Sequence, residues 1–201
     1  MPVHDWTCVE AAVFKDMHHS LIVHISRALN AGLLPAGYYS LIKPHAKFGQ
    51  QRVSIHHESN HRVKAFIEIV SPIIKERPQN AKTFADTIRA ALSFDIHVLV
   101  IDLFPPGKHD KLGMHGAIWK ALGREKDKPA AEKSLCLMSY VAKMPPEAYL
   151  EWLGVGAALP EMPLFLDTKH YVGVPLESTY QTAYRGVPEY WRKFIEQHGK
   201  T

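Results

Sequence analysis

Three titratable side chains stand where the neighbouring residues are apolar. Glu68 alternates with core positions in a predicted strand, and a half-buried carboxylate there is costly unless it is paired or binds a metal. Asp102 ends a nearly continuous apolar run, at the kind of strand end where α/β sheets place ligand-binding groups, although it could equally cap the next turn. His18 lies on the apolar face of a predicted helix, either as a satisfied core histidine or as a ligand or general base. These three residues are the candidate metal ligands.

For other residues of reactive or charged types, a structural role explains the sequence better than a catalytic one. His56 and His57 point to opposite faces of one strand, so they cannot both bind one metal without distortion, and the surface of a hairpin accounts for them better. Lys75 and Lys82 fit the solvated entrance of a helix. An aromatic cluster near the C-terminus could stack nucleic-acid bases, but its helical spacing is more typical of a core; it comprises Tyr180, Tyr184, Tyr190 and Trp191. The sequence has no Gly-rich phosphate loop and no Cys-x-x-Cys motif.

Composition and charge are those of an ordinary globular chain. Of its 201 residues 46% are hydrophobic and 22% are charged, and no apolar run approaches the roughly 18 residues of a membrane span. The net charge of +4 permits binding to nucleic acid without demanding it, because the densest basic run, 120–133, mixes both signs. The N-terminal residues lack the pattern of a signal peptide, and Cys8 and Cys136 lie far apart. We therefore expect a cytoplasmic protein with reduced thiols and no membrane association.

The first half of the chain predicts helices and strands in a defined order. A capping box from Thr7 to Glu10 opens a helix that ends at Asn30–Gly32, where Gly32 can adopt the left-handed conformation. Three strands and a turn at 58–61 follow, and the strands are Tyr38–Lys43, Arg52–His57 and Arg62–Val70. A helix over about Asn80–Ser93 leads to an apolar strand at His97–Leu103. The order α-β-β-β-α-β, with a crossover before a strand buried on both faces, predicts a mixed sheet with helices on its faces.

The second half predicts an extension of this sheet. A short helix at Met114–Leu122 precedes a polar, Lys-rich loop that runs to about Lys133. The remaining predicted elements are strands at Leu135–Val141, Ala148–Val155 and Tyr171–Leu176, and helices at about Ser178–Tyr184 and Pro188–Gln197. No repeat or long linker divides the chain. We expect one α/β domain over 1–201, with a core at about 7–104 and a C-terminal extension at about 105–201.

Several segments that span nearly the whole chain form a recognisable set. They are His4–Thr7, the helix residues Phe14, Asp16, His18 and His19, and the stretches Leu29–Tyr39, Ile67–Pro72, Ile101–Pro106, Met162–Leu166 and Val174–Gln181. Together they resemble the bacterial family known as domain of unknown function 4058. The resemblance implies a shared fold and no particular activity.

A second similarity involves a strand that ends in Glu68–Pro72 and is followed by a lysine-bearing helix and a buried strand. This order of elements is similar to that of the Uma2-type relatives of PD-(D/E)xK nucleases. This resemblance implies a restriction-endonuclease-like core of the same α-β-β-β-α-β order. It further implies an aspartate and a second acidic residue that hold Mg²⁺ for phosphodiester hydrolysis of nucleic acid, with a lysine beside them. On this implication Glu68 is the second acidic residue, and Lys75 or Lys82 is the lysine.

The chain departs from that pattern at the aspartate. No aspartate lies between Asp16 and Asp86, and the strand expected to carry it contains none. The groups that could substitute are His57, Glu58, or Asp16 together with His18. The expectation is a nuclease-like scaffold with an incomplete metal site and no activity. The alternatives are a non-enzymatic binding or scaffold module and an active Mg²⁺-dependent nuclease with substituted ligands.

Overall fold

The computed structural model describes residues 3–45, 47–124 and 134–199. Its largest sheet has six strands whose spatial order follows the chain. They are β1 (Tyr38–His45), β2 (Gln50–His57), β3 (Val63–Ile69), β4 (His97–Asp102), β5 (Leu135–Val141) and β6 (Glu147–Leu153). Neighbouring strands are antiparallel except β3 and β4, which run parallel across a helical crossover. The predicted mixed α/β sheet is therefore confirmed.

Helices cover both faces of the sheet. The first face packs against α1 (Ala11–Ala28) and α5 (Leu176–Arg185), and the second against α3 (Pro78–Ser93) and α4 (Gly113–Ala121). Side chains along β3 alternate between the two cores, because successive residues of a strand point to opposite faces. Every residue of β4 is buried, as its continuous apolar run predicts.

The start of α1 differs from the prediction. The helix begins at Ala11, and its N-cap residue Glu10 makes no side-chain capping bond. The hydroxyl and the backbone N–H of Thr7 both donate instead to Asp5 Oδ1, at 2.6 and 2.9 Å. These bonds stabilise a 3₁₀ turn at Trp6–Cys8, so the capping-box prediction was wrong. One consequence is that the first backbone N–H groups of α1 are left without a side-chain cap.

The end of α1 agrees with its sequence. The helix passes into a wider turn, Leu29–Leu33, in which Gly32 has a φ of +111°, the left-handed region that glycine favours. The Asn30 side chain then bonds both backbone groups of Ser40, accepting from its N–H at 2.8 Å and donating to its carbonyl at 3.1 Å. This pair of bonds fixes the start of β1 against the helix end.

The C-terminal part closes the first face of the sheet. A hairpin of β7 (Met162–Phe165) and β8 (Tyr171–Val174) forms a separate two-stranded sheet, of which only the second strand was predicted. The following helices are α5 and α6 (Glu189–His198). The Tyr180 hydroxyl is buried and accepts N–H bonds from His4 and from the Trp6 indole, each at 3.1 Å. Tyr180 and Tyr184 are thus core residues, whereas Tyr190 is exposed.

The Lys-rich loop that was predicted up to Lys133 falls largely on residues 125–133, which lie outside the described residues. Among the helices that the structure does describe, none combines the length and hydrophobicity needed to cross a bilayer. Within the described residues, Cys8 and Cys136 are not joined in a disulfide.

Candidate functional site

Glu68 lies in β3 on the face covered by α3 and α4. Its side chain is buried, and its Oε1 atom lies 3.2 Å from Nη1 of Arg52 on β2 and 3.6 Å from Nε2 of His45 on β1. The Arg52 guanidinium also packs over the Phe66 ring, 4.7 Å from its centroid. Oε1 has no aligned hydrogen bond, so Arg52 acts on Glu68 through its charge rather than through a hydrogen bond. Burial raises the pKa of Glu68 to about 8, and the charge of Arg52 limits the rise.

His45 completes this polar cluster as a neutral group. Burial and the nearby Arg52 lower the pKa of His45 to about 4. Its Nδ1 accepts the backbone N–H of Lys47 at 3.2 Å, so we assign the ring proton to Nε2, the atom that faces Glu68. A metal ion placed beside Glu68 would therefore meet the guanidinium of Arg52 and an imidazole that presents a proton. The cluster favours charge pairing over metal binding.

Lys75, the last residue of α2 (Pro72–Lys75), lies among four oxygen atoms. Its Nζ is 2.8 Å from Asp102 Oδ2 and 3.1 Å from Asp110 Oδ2. It also donates to the backbone carbonyls of Phe104 at 2.8 Å and Pro105 at 3.0 Å. Two carboxylates and two carbonyls form an oxygen cage of the type that hard cations prefer. The ammonium group thus takes the position that a cation would occupy. Only 9% of the Lys75 side chain is exposed, so its predicted solvated position was wrong.

The two carboxylates of this oxygen cage also order the loop after β4. Asp102 Oδ1 accepts the backbone N–H of Phe104 at 3.1 Å, and Asp110 Oδ1 accepts that of Gly107 at 2.6 Å. Asp102 therefore caps the turn, as one interpretation of the sequence expected, and also pairs with Lys75. Burial raises the pKa of Asp102 to about 6, against the opposing effect of Lys75.

The other residues suggested for a nuclease site lie elsewhere. Lys82 is 68% exposed and forms an i,i+4 ion pair with Asp86 on the surface of α3, as predicted for a solvated lysine. His57 bonds the Ser59 hydroxyl at the end of the β2–β3 hairpin, and Glu58 is exposed in the same turn. His56 is buried, contrary to the expected hairpin surface, and its Nδ1 donates to the His61 carbonyl at 2.9 Å because a carbonyl can only accept.

The three predicted metal ligands make separate contacts. Glu68 contacts Arg52 and Asp102 contacts Lys75, whereas His18 belongs to α1 on the opposite face of the sheet. Within residues 3–45, 47–124 and 134–199, no group of three His, Cys, Asp or Glu residues could hold a metal ion. A cationic side chain already lies beside each of the two carboxylates. These residues, as placed, do not fit Mg²⁺.

An open cleft is lined by residues other than those of the two charged clusters. It has a volume of about 700 Å³ and is bounded by the N-terminal half of α1, the β1–β2 turn and the start of α2. Its polar lining includes His18 and His19, and His19 Nδ1 donates to the Gln51 side-chain oxygen at 2.7 Å. Gln50 bonds the Ser71 hydroxyl across the cleft floor. A cleft of this size matches the volume of small-molecule sites.

Sequence reasoning missed three members of these clusters. His45 lies beyond the predicted end of β1, and Arg52 was treated only as a strand boundary. Asp110 follows the Pro105–Gly107 break, where no periodic pattern indicates which side chains turn inward. No protein-family model, curated protein or solved structure matches the chain. The chemistry of the candidate site therefore rests on its own geometry.

Proposed function

We propose that this chain is a binding module on a PD-(D/E)xK-like scaffold that has no metal-dependent nuclease activity. The scaffold part of the proposal is supported by the order of elements from α1 to β4, which is the α-β-β-β-α-β order that the resemblance implies. The binding part is supported by the open cleft between α1 and the start of α2.

The observation that carries the proposal is the oxygen cage around Lys75. In a working site the lysine would have an amino group free for the attacking water or the phosphate, and the carboxylates would be free for metal. Here the ammonium group contacts Asp102, Asp110 and two carbonyls at 2.8–3.1 Å. Glu68 is likewise paired with Arg52. Neither the Lys75 ammonium group nor the Glu68 carboxyl group is therefore free for catalysis.

A plasmid assay tests the missing activity. We expect wild-type protein and Glu68→Gln to leave supercoiled DNA intact in Mg²⁺ or Mn²⁺, at the level of a protein-free control, because Glu68, Asp102 and Asp110 each already lie beside a cationic side chain. Glu151→Gln, which alters an exposed carboxylate on β6, is the matched control. The proposal would be refuted if the wild type and Glu151→Gln nick the plasmid and Glu68→Gln does not, because this result would establish an active nuclease.

A further inference from the structure

The side chains of Glu68 and His45 face each other without a hydrogen bond. Glu68 Oε1 and His45 Nε2 lie 3.6 Å apart, and both atoms are buried and have no hydrogen-bond partner among the described residues. An N–H···O hydrogen bond has a length of roughly 2.7–3.2 Å. A buried donor and a buried acceptor gain free energy by bonding each other, and a small movement of the imidazole ring would bring these two within that range.

The His45 ring also contacts the turn that lines the cleft. His45 is the last residue of β1, and its ring packs against that of Phe48 with a centroid distance of 4.9 Å. Phe48 and Gly49, in the β1–β2 turn, both line the cleft. His45 Nδ1 accepts the backbone N–H of Lys47 at 3.2 Å, which ties the ring to the backbone of the same turn. A movement of the His45 ring is therefore transmitted to the cleft wall.

Two neighbouring strands present charged or titratable groups to Glu68. Arg52 on β2 lies 3.2 Å from Glu68 Oε1, and a guanidinium does not titrate near neutral pH. His45 on β1 is neutral, because burial, Arg52 and Lys47 all lower its pKa, to about 4. Burial raises the pKa of Glu68 to about 8, so its carboxyl group gains a charge as the pH rises above neutral.

The other elements around Glu68 present apolar or already bonded groups. On β4, Val100 lies opposite Glu68, and Asp102, farther along the same face, is paired with Lys75. The buried residues of α3 and α4 are apolar apart from His115, which bonds a tyrosine hydroxyl of β5. Among the described residues of this cluster, Glu68 is therefore the group whose charge changes between neutral and alkaline pH.

The charge of Glu68 determines how strongly it attracts His45. A hydrogen bond to an ionised carboxylate is shorter and about twice as strong as one to a neutral carboxyl group. The separation of 3.6 Å from His45 Nε2 fits the neutral form, which accepts only weakly. An ionised Glu68 is expected to draw the Nε2–H group of His45 into a hydrogen bond, and the Phe48 ring moves with it.

We infer that the Glu68–His45 pair is a switch that sets the shape of the cleft through Phe48. When Glu68 is neutral, His45 and Phe48 lie as described above. When Glu68 is ionised, His45 Nε2 donates to Glu68 Oε1, and the β1–β2 turn shifts with the ring. This inference goes beyond the proposed function, because it concerns a change of the cleft wall that does not depend on what the cleft binds.

A pH titration of the ¹³C,¹⁵N-labelled chain by NMR, from about pH 6.5 to 9.5, tests the inference. We expect the side-chain carboxyl carbon of Glu68, the ring of Phe48 and the amide of Gly49 to shift together, with one midpoint near pH 8. The Gln51 amide is not used, because the Gln51 side chain bonds His19, a second titratable group. The ¹⁵N shifts of His45 should show a neutral ring with its proton on Nε2 throughout.

Three variants locate the origin of the shift. Glu68→Gln should abolish the transition of Phe48 and Gly49, and His45→Leu should abolish it while Glu68 still titrates. Glu151→Gln, which alters an exposed carboxylate on β6, should keep the transition.

The wild type alone also decides the matter if a buried substitution prevents folding. The inference is overturned if Phe48 and Gly49 do not shift while Glu68 titrates, or if they shift with a different midpoint. It is equally overturned if the transition of Phe48 and Gly49 persists in folded Glu68→Gln or in folded His45→Leu.

Discussion

Lys75→Met is expected to lower the free energy of unfolding by about 3–5 kcal/mol, as measured by chemical denaturation at neutral pH. Methionine has an unbranched apolar side chain similar to the aliphatic part of lysine, but it lacks the ammonium group. Asp102 and Asp110 would then be buried carboxylates without a cation, and the carbonyls of Phe104 and Pro105 would lose their shared donor. The large cost comes from the groups left unpaired, rather than from the net strength of the ion pair.

Lys82→Met is the matched control, because it removes a lysine that also pairs with an aspartate. Its partner Asp86 is accessible to water and the pair lies on the surface of α3, so the expected change is within about 0.5 kcal/mol. Adding Asp102→Asn and Asp110→Asn to Lys75→Met should recover part of the loss, since no unpaired carboxylate then remains. A cost for Lys75→Met no greater than that for Lys82→Met would contradict the structural role of the oxygen cage.

The stability of the wild type is expected to depend on pH through Glu68. Between pH 6.5 and 8.5 the free energy of unfolding of the wild type should fall by about 1 to 2 kcal/mol, and this fall should be absent in Glu68→Gln. Burial raises the folded-state pKa of Glu68 from 4.5 to about 8. The folded state therefore holds a proton that the unfolded state has lost, and this contribution to stability disappears as pH rises through the folded pKa. Denaturation curves at several pH values measure it.

Other buried groups titrate below this window. The lowered pKa values of His18 and His45, each about 4, make stability rise with pH up to about 6.5, and the raised pKa of Asp102, about 6, acts in the opposite direction over the same range. Above pH 7 the change in the free energy of unfolding with pH should therefore come mainly from Glu68. Glu151→Gln, at an exposed position, should keep the wild-type slope. A slope retained by Glu68→Gln would contradict the prediction, because it would show that other groups cause the pH dependence of the free energy of unfolding.

The sheet could be predicted from the sequence where the local pattern was strong. The apolar run of β4, the β2–β3 turn and β5 were predicted to within a residue or two, because each depends on neighbouring residues alone. The start of α1 and the strand β7 could not be predicted. The Thr7 hydroxyl bonds Asp5 instead of capping the helix, and Pro163 lies within a strand of only four residues. Local bonds and short strands of this kind leave no periodic pattern in the sequence.

The candidate site was predictable only in part. Glu68 was identified as a carboxylate that needs a partner, because its strand position implied burial. Which partner it has depends on the register of β2, which places Arg52 beside it. Lys75 looked solvated because its short helix carries no pattern, and its burial results from a loop 30 residues later that folds back over it. Such long-range pairing is visible only in three dimensions.

Calorimetric titration of the wild type with Mg²⁺ and Mn²⁺, beside Glu68→Gln, tests the central claim most directly. Because Arg52 lies beside the carboxyl group of Glu68 and Lys75 lies between those of Asp102 and Asp110, we expect no saturable heat for either protein. Saturable binding to the wild type that disappears in Glu68→Gln would contradict the account, because it would show that Glu68 exchanges Arg52 for a metal ion and belongs to a working site.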